Sequence, residues 1–211
     1  MKNYVITIAR GMGSGGSHIG HDLCARLGIS YYDEDILKMA SVESGINENY
    51  FFQACERIRK RDSKIQASKG IYTGNVYDVN SPMFLSDENL FNYQALVIRK
   101  LALEQKESCV IIGKAANRII GSLKNVLTVN IVAPHDLCVR NIENRLGYSP
   151  EEAEKTVLRT DKYRSDYYKY YTGGEWLNPK EYDLTVNTGF TGEKFAADLI
   201  IEHLKHMGAP V

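Results

Sequence analysis

Tyr4-Val5-Ile6-Thr7-Ile8-Ala9-Arg10-Gly11-Met12-Gly13-Ser14-Gly15-Gly16-Ser17 is the stretch on which the reading of this chain turns. Tyr4 to Ile8 is short, apolar and β-branched, the pattern of a buried strand. Past Arg10 come four glycines in six residues. Ser17 to Leu27 then carries Ile19, Leu23 and Leu27 at the i, i+4 spacing of a helix, with Gly28 as its stop. Between such a strand and helix, successive backbone N–H groups and the positive helix end form a nest for an anion. Glycine is required because phosphate oxygens approach the backbone closely and some residues take positive φ. A merely tight turn needs fewer glycines.

Outward from the loop, strands alternate with helices. Further strands are expected over 29–32, ending on Asp33-Glu34-Asp35, then over 109–113, 126–132 and 182–186. Helices are expected over 47–61, from Ser86 or Asp87 to about Lys106, after the fourth strand, and over 192–207. Ser149-Pro150-Glu151-Glu152 combines proline at the first helical position with a capping box, and opens a helix running to Tyr167, Tyr168, Tyr170 and Tyr171. This alternation predicts a three-layer α/β fold, a parallel sheet of about five strands covered on both faces. From Asp62 to Leu85 the chain is polar, with Gly70, Gly74 and Pro82. So long a stretch without periodicity is functional or mobile.

The 211 residues suit one domain with an ordinary soluble composition. Lysine and arginine (26) balance aspartate and glutamate (26), so no global charge draws the chain to nucleic acid or a membrane surface. Cys24, Cys55, Cys109 and Cys138 are widely spaced and suggest neither a zinc site nor a disulfide framework. No signal-peptide layout and no apolar run near ~20 residues is found, so a cytoplasmic location is expected.

The glycine loop supports two binding readings. Gly11, Gly13 and Gly16 satisfy G-x-G-x-x-G with Asp33 about 20 residues on, the dinucleotide fingerprint. Against the P-loop pattern G-x-x-x-x-G-K-[ST], Arg10 falls on the first glycine, Gly15 on the second, Gly16 on the lysine and Ser17 on the hydroxyl. The lysine that grips phosphate is absent.

Ile8 to Gly20 resembles the altered P-loop of the cytidylate kinase-like family, which carries glycine at the lysine position. Tyr31-Tyr32-Asp33, Val110-Ile111-Ile112-Gly113-Lys114-Ala115-Ala116, Arg159-Thr160-Asp161-Lys162-Tyr163-Arg164 with the tyrosines after it, and Trp176 followed by Tyr182 to Thr188 are similar to that family's motifs in the same order. The resemblance spans nearly all the chain apart from about 44–85. It implies a single P-loop kinase-like domain over 1–211, with an acceptor-binding region near 44–106 and a lid near 147–178. It also implies phosphoryl transfer from ATP or another NTP, with Mg2+, to a nucleoside monophosphate or related small molecule. Ala115 stands where true cytidylate kinases have aspartate, which departs from CMP recognition.

Phosphoryl transfer needs positive charge around the transferring group. Arg159, Lys162 and Arg164 are the lid candidates, and Arg10 or Lys114, each at a strand end, is expected to replace the lysine. Gly11, Gly13, Ser14, Gly15, Gly16, Ser17, Arg140 and Arg145 are assigned to the donor nucleotide. Asp33 and Arg99 are assigned to the acceptor, although Asp33 also suits a helix cap, and the Ser17 hydroxyl is assigned to magnesium. The tyrosine cluster is expected to pack against Trp176, and His18 to lie on a helix surface. Two other functions compete: a nucleotide-binding module without catalysis, and an NAD-type oxidoreductase.

Overall fold

The computed structural model describes residues 3–60, 74–105 and 107–211. Five strands, β1 (Val5–Arg10), β2 (Ser30–Tyr32), β3 (Cys109–Ile112), β4 (Val126–Val132) and β5 (Leu184–Asn187), form one parallel sheet in the order β2-β3-β1-β4-β5. β1 is central, and its register sets Ile8 beside Ile112 and Val129. In a dinucleotide-binding sheet β2 would lie against β1. Here β3 lies between them, so the G-x-G-x-x-G match does not carry the dinucleotide fold.

Alternation along the strands divides the core in two. One face buries Ile6, Ile8, Val110, Leu127 and Val129 against α1 (Gly16–Leu27) and α8 (Thr188–His206). The other buries Val5, Cys109, Ile111 and Val126 beneath α2 (Asp35–Ser44), α3 (Glu48–Lys60), α4 (Asp87–Leu103), α5 (Ala116–Ile120) and the end of α7 (Pro150–Thr172). A small third cluster, Cys138 and Ile142 of α6 (His135–Leu146) with Ala153 and Val157 of α7, joins these two helices beside Met12. Tyr171 stacks on Phe91 at 4.2 Å, and Tyr167, Tyr168 and Trp176 are buried in the same cluster, as the sequence predicts. Among the described residues no helix is long and apolar enough to cross a membrane.

Local chemistry explains where elements begin and end. Ser149 and Glu152 form the capping box of α7, and Ser86 caps α4 through the Asn89 N–H at 3.2 Å. α4 ends at Leu103, short of Lys106, which lies outside the described residues. β5 starts at Leu184 rather than Tyr182, because the Asp183 carboxylate accepts from the Thr128 N–H and hydroxyl at 2.9 and 2.7 Å and the chain is still turning there. α8 starts four residues ahead of the expected Gly192, whose φ of 70° instead breaks the helix. The sequence reading named neither α2 nor the short α5. Residues 61–73, which include the whole first half of the polar stretch, lie outside the described residues.

Candidate active site

The glycine loop is pinned from outside. The Gly13 carbonyl accepts from Asn141 Nδ2 at 2.8 Å, and the Ser14 carbonyl from Thr188 Oγ1 at 2.8 Å. Gly11 N–H donates to Ile131, and the buried Ser14 hydroxyl closes back on the Gly11 carbonyl at 2.8 Å. With the carbonyls held outward, the N–H groups of Gly13, Gly15 and Gly16 meet no protein acceptor among the described residues. That arrangement is an anion nest at the N-terminus of a 12-residue helix. Ser14, assigned to the donor nucleotide, instead spends both its hydroxyl and its N–H, the latter at 3.2 Å, on the Gly11 carbonyl. Gly13 (φ 79°) also has no room: a side-chain carbon there would collide with the Cys138 carbonyl and lie 2.8 Å from its Cα.

Gly16, at the lysine position, is crowded in an informative way. A side-chain carbon on residue 16 would collide with Cβ of Arg10 and lie 3.0 Å from its Cγ. The stem of Arg10 thus fills the space in which the stem of a lysine would begin. Its head crosses β3, with Nη1 2.5 Å from where Gly113 would carry Cβ, and Nη2 donates to Asp33 Oδ2 at 3.0 Å. Asp33 does not cap α2, whose N-cap is Glu34 with no side-chain bond.

At the end of β3, Gly113, Lys114 and Ala115 take φ of 66°, 53° and 54° in succession. For Lys114 and Ala115 the left-handed region costs roughly 1–2 kcal/mol each. The turn sets Lys114 in the wall of a cavity of about 300 Å³. Arg10, Asp33, Tyr163, Arg164 and Trp176 share its walls.

α7 roofs this cavity. Its start is bolted to α6 through Ala153 and Val157 and its end to the main core through Tyr167, Tyr168 and Tyr171. The polar middle between these apolar patches faces the loop. Asp161 Oδ1 accepts from the Met12 N–H at 2.7 Å, and Arg164 Nη1 donates to the Arg10 carbonyl at 3.0 Å. The two side chains are 3.5 Å apart. Burial holds the Asp161 carboxyl above its ordinary range, against the Met12 N–H and Arg164. Burial, then the Arg10 charge, brings the Arg164 guanidinium down to about 10. Sequence reasoning missed Asp161. The available signal was the single stripe Val157, Asp161, Arg164, Tyr168, in which two charged residues interrupt an otherwise apolar helix face.

Several assigned residues lie elsewhere. Arg159 and Lys162 do share a helix face, but it is the outer one: Arg159 is exposed, and Lys162 pairs with Asp166 at 2.6 Å. α6 turns Cys138, Asn141 and Arg145 toward the loop, which leaves Arg140 exposed on another face. Arg145 is near the nest but paired with Glu193, whose Cγ and Cδ lie 2.7 Å from a side-chain carbon built on Gly15. Arg99 is one turn from the end of α4, which leads into the start of β3, so it belongs to the opposite end of the sheet from the cavity. His18 is exposed on α1, 3.4 Å from Glu193. Cys24, Cys109 and Cys138 are ordinary core thiols, pushed by burial to about 11, 12 and 11.

The residues present fit a nucleotide with magnesium. The nest offers donors to phosphate, and Ser17, at the first turn of α1, is half-buried beside Tyr31. Among the described residues no group of three or more His, Cys, Asp or Glu could hold a metal. Magnesium bound through phosphates and water needs no such group.

Strand order and glycine loop define a P-loop-type α/β protein. The chain belongs to the cytidylate kinase-like family, whose model matches residues 5–189. That family supports a nucleotide-dependent kinase acting on small-molecule nucleotides. In fold the chain is similar to an uncharacterized protein from Eubacterium ventriosum ATCC 27560, with 23% identity over 96% of this chain and 99% of that one and a TM-score of 0.69. It also aligns with a gluconokinase from Sinorhizobium meliloti 1021 (15% identity, 97% of each chain, TM-score 0.49). A third alignment is to shikimate kinase from Acinetobacter baumannii (15% identity, 97% of this chain and 94% of that one, TM-score 0.45). No curated protein matches the chain.

Proposed function

We propose that this protein transfers the γ-phosphoryl group of ATP or another NTP to a nucleoside monophosphate, CMP-like, or a related small molecule. The donor phosphates lie in the Gly13–Ser17 nest and the acceptor in the cavity beneath α7. The observation that carries this reading is the Arg10 stem in the space of the absent residue-16 side chain. The lysine has a candidate substitute, an arginine whose stem starts beside the nest from the strand instead of from the helix. Magnesium, when bound, supplies charge neutralisation at the β- and γ-oxygens, with Ser17 as its protein ligand.

The acceptor oxygen forms the new P–O bond as the bond to the β-phosphate bridging oxygen breaks and the nucleoside diphosphate leaves. An ionised phosphate acceptor has no proton to lose, so Asp33 orients rather than deprotonates. Arg164, desolvated beneath α7, stabilises charge on the equatorial oxygens, where a preorganised guanidinium acts most strongly. Lys114 adds a point charge in the cavity wall.

Turnover of Mg-ATP and Mg-GTP against a panel of nucleoside monophosphates tests the reading. Arg10→Ala should lose most activity, and Arg10→Lys should recover part of it because the fork geometry differs. Gly16→Lys should gain nothing, since its side chain would meet the Arg10 stem. An inert wild-type protein that becomes active with Gly16→Lys would instead be a nucleotide-binding module.

A further inference from the structure

Resting on that reading, we infer that Asp33 is a positioning residue that holds Arg10 off the phosphate nest until an acceptor engages its carboxylate. Arg10 is divided between two places. Its stem begins in the lysine space against Gly16, while its head lies over Gly113 on the acceptor side. The Arg10 carbonyl is fixed by Arg164, so only the outer side chain is free to move between the two.

What holds the head is Asp33, at 3.0 Å, with both side chains partly buried. The hold is incomplete. A guanidinium presents five N–H donors, and Arg10 Nε is buried with no hydrogen-bond partner among the described residues. An unsatisfied buried donor favours any state that pairs it, and phosphate oxygens in the nest would do so. Asp33 meanwhile leaves the N-terminus of α2 uncapped and lines the cavity where the acceptor would lie. A ligand donating to that carboxylate weakens its grip on Arg10.

The thermodynamic consequence is that donor affinity is reduced by the fraction of molecules whose arginine is free. With Arg10 held about nine-tenths of the time, the reduction is about tenfold. By reciprocity, acceptor and donor bind with positive coupling. A bound NTP is then poorly activated toward water until the acceptor arrives.

The test is a double-mutant cycle read by calorimetric titration of Mg-AMP-PNP and Mg-GMP-PNP. It uses the wild type, Asp33→Asn, Arg10→Met and the double variant, with Asp33→Ser as a second replacement and melting curves to verify folding. Asp33→Asn should tighten binding by about tenfold, equivalent to about 1.4 kcal/mol. The gain should vanish in the Arg10→Met background. A merely structural Asp33 would loosen the site on substitution, never tighten it. Unchanged or weaker binding in both folded Asp33 variants overturns the inference alone, as does a gain that persists without Arg10. Absence of binding by both analogues in every protein overturns the kinase reading and this inference with it.

Discussion

Gly13 and Gly15 are two residues apart in one loop, and substituting them should fail in different ways. A methyl group on Gly13 meets backbone of α6, which cannot yield, so Gly13→Ala should cost several kcal/mol, on the order of an overpacked core, and lower the melting temperature sharply. On Gly15 its nearest neighbours are atoms of the flexible Glu193 side chain, so Gly15→Ala should stay folded, with some strain from φ of 88°, while nucleotide binding falls. Equal melting temperatures for the two would contradict this account. Asp161 makes a prediction of the opposite sign. Its carboxyl is raised in the folded state, so the ionised form costs stability. That cost is absent below the unfolded value near ~3.9 and complete above the folded one. Asp161→Asn should therefore melt higher than wild type at neutral pH, with the gain shrinking to nothing as pH falls to about 4. The place of Arg10 beside residue 16 was legible because Arg10 ends the strand that feeds the loop, while its role as the cation belongs to the proposed function. Asp161 was not, since an aspartate among Lys162, Arg159 and Asp166 looks like part of a solvated face until the stripe is drawn.

The element that organises the site is α7, fixed at both ends and polar between. Its two arginines separate cleanly. Arg164→Ala should lower kcat on the order of 10³-fold with a smaller effect on KM, while Arg159→Ala, on the outer face, should be near wild type. Steady-state kinetics of both variants decide it, and a large kcat loss at Arg159 would mean the helix turns over in the reactive state. The helix itself was readable to the residue at its start, because Ser149, Pro150 and Glu152 act locally. Which of its faces points inward was not, because that depends on α6 and the tyrosine core. Arg99 failed for a similar reason: a helix pattern gives no direction relative to a sheet, and α4 runs away from the ligand end. α8 was misread at its start because Thr188 to Thr191 form a helical turn on the far side of the Gly192 break.

Across the whole molecule, the strand order separates this chain from dinucleotide binders more firmly than any motif, and strand order is a property of long-range pairing that the loop alone cannot express. The single tryptophan, Trp176, is buried in the cavity wall and gives a direct readout of occupancy. Titrating the nucleoside monophosphate that turns over should change its emission saturably, while Mg-AMP-PNP alone should leave it nearly unchanged. The reverse pattern would exchange the two sites. The Thr188 hydroxyl on the Ser14 carbonyl also sets the order in which the site can form during synthesis. The nest is synthesised well before its fold is complete, and a member of its scaffold emerges 174 residues later, together with β5. A nascent chain halted before Thr188 should lack a competent phosphate site even with β1 and α1 already synthesised. On the ribosome, nucleotide capture thus reports that synthesis has passed that residue.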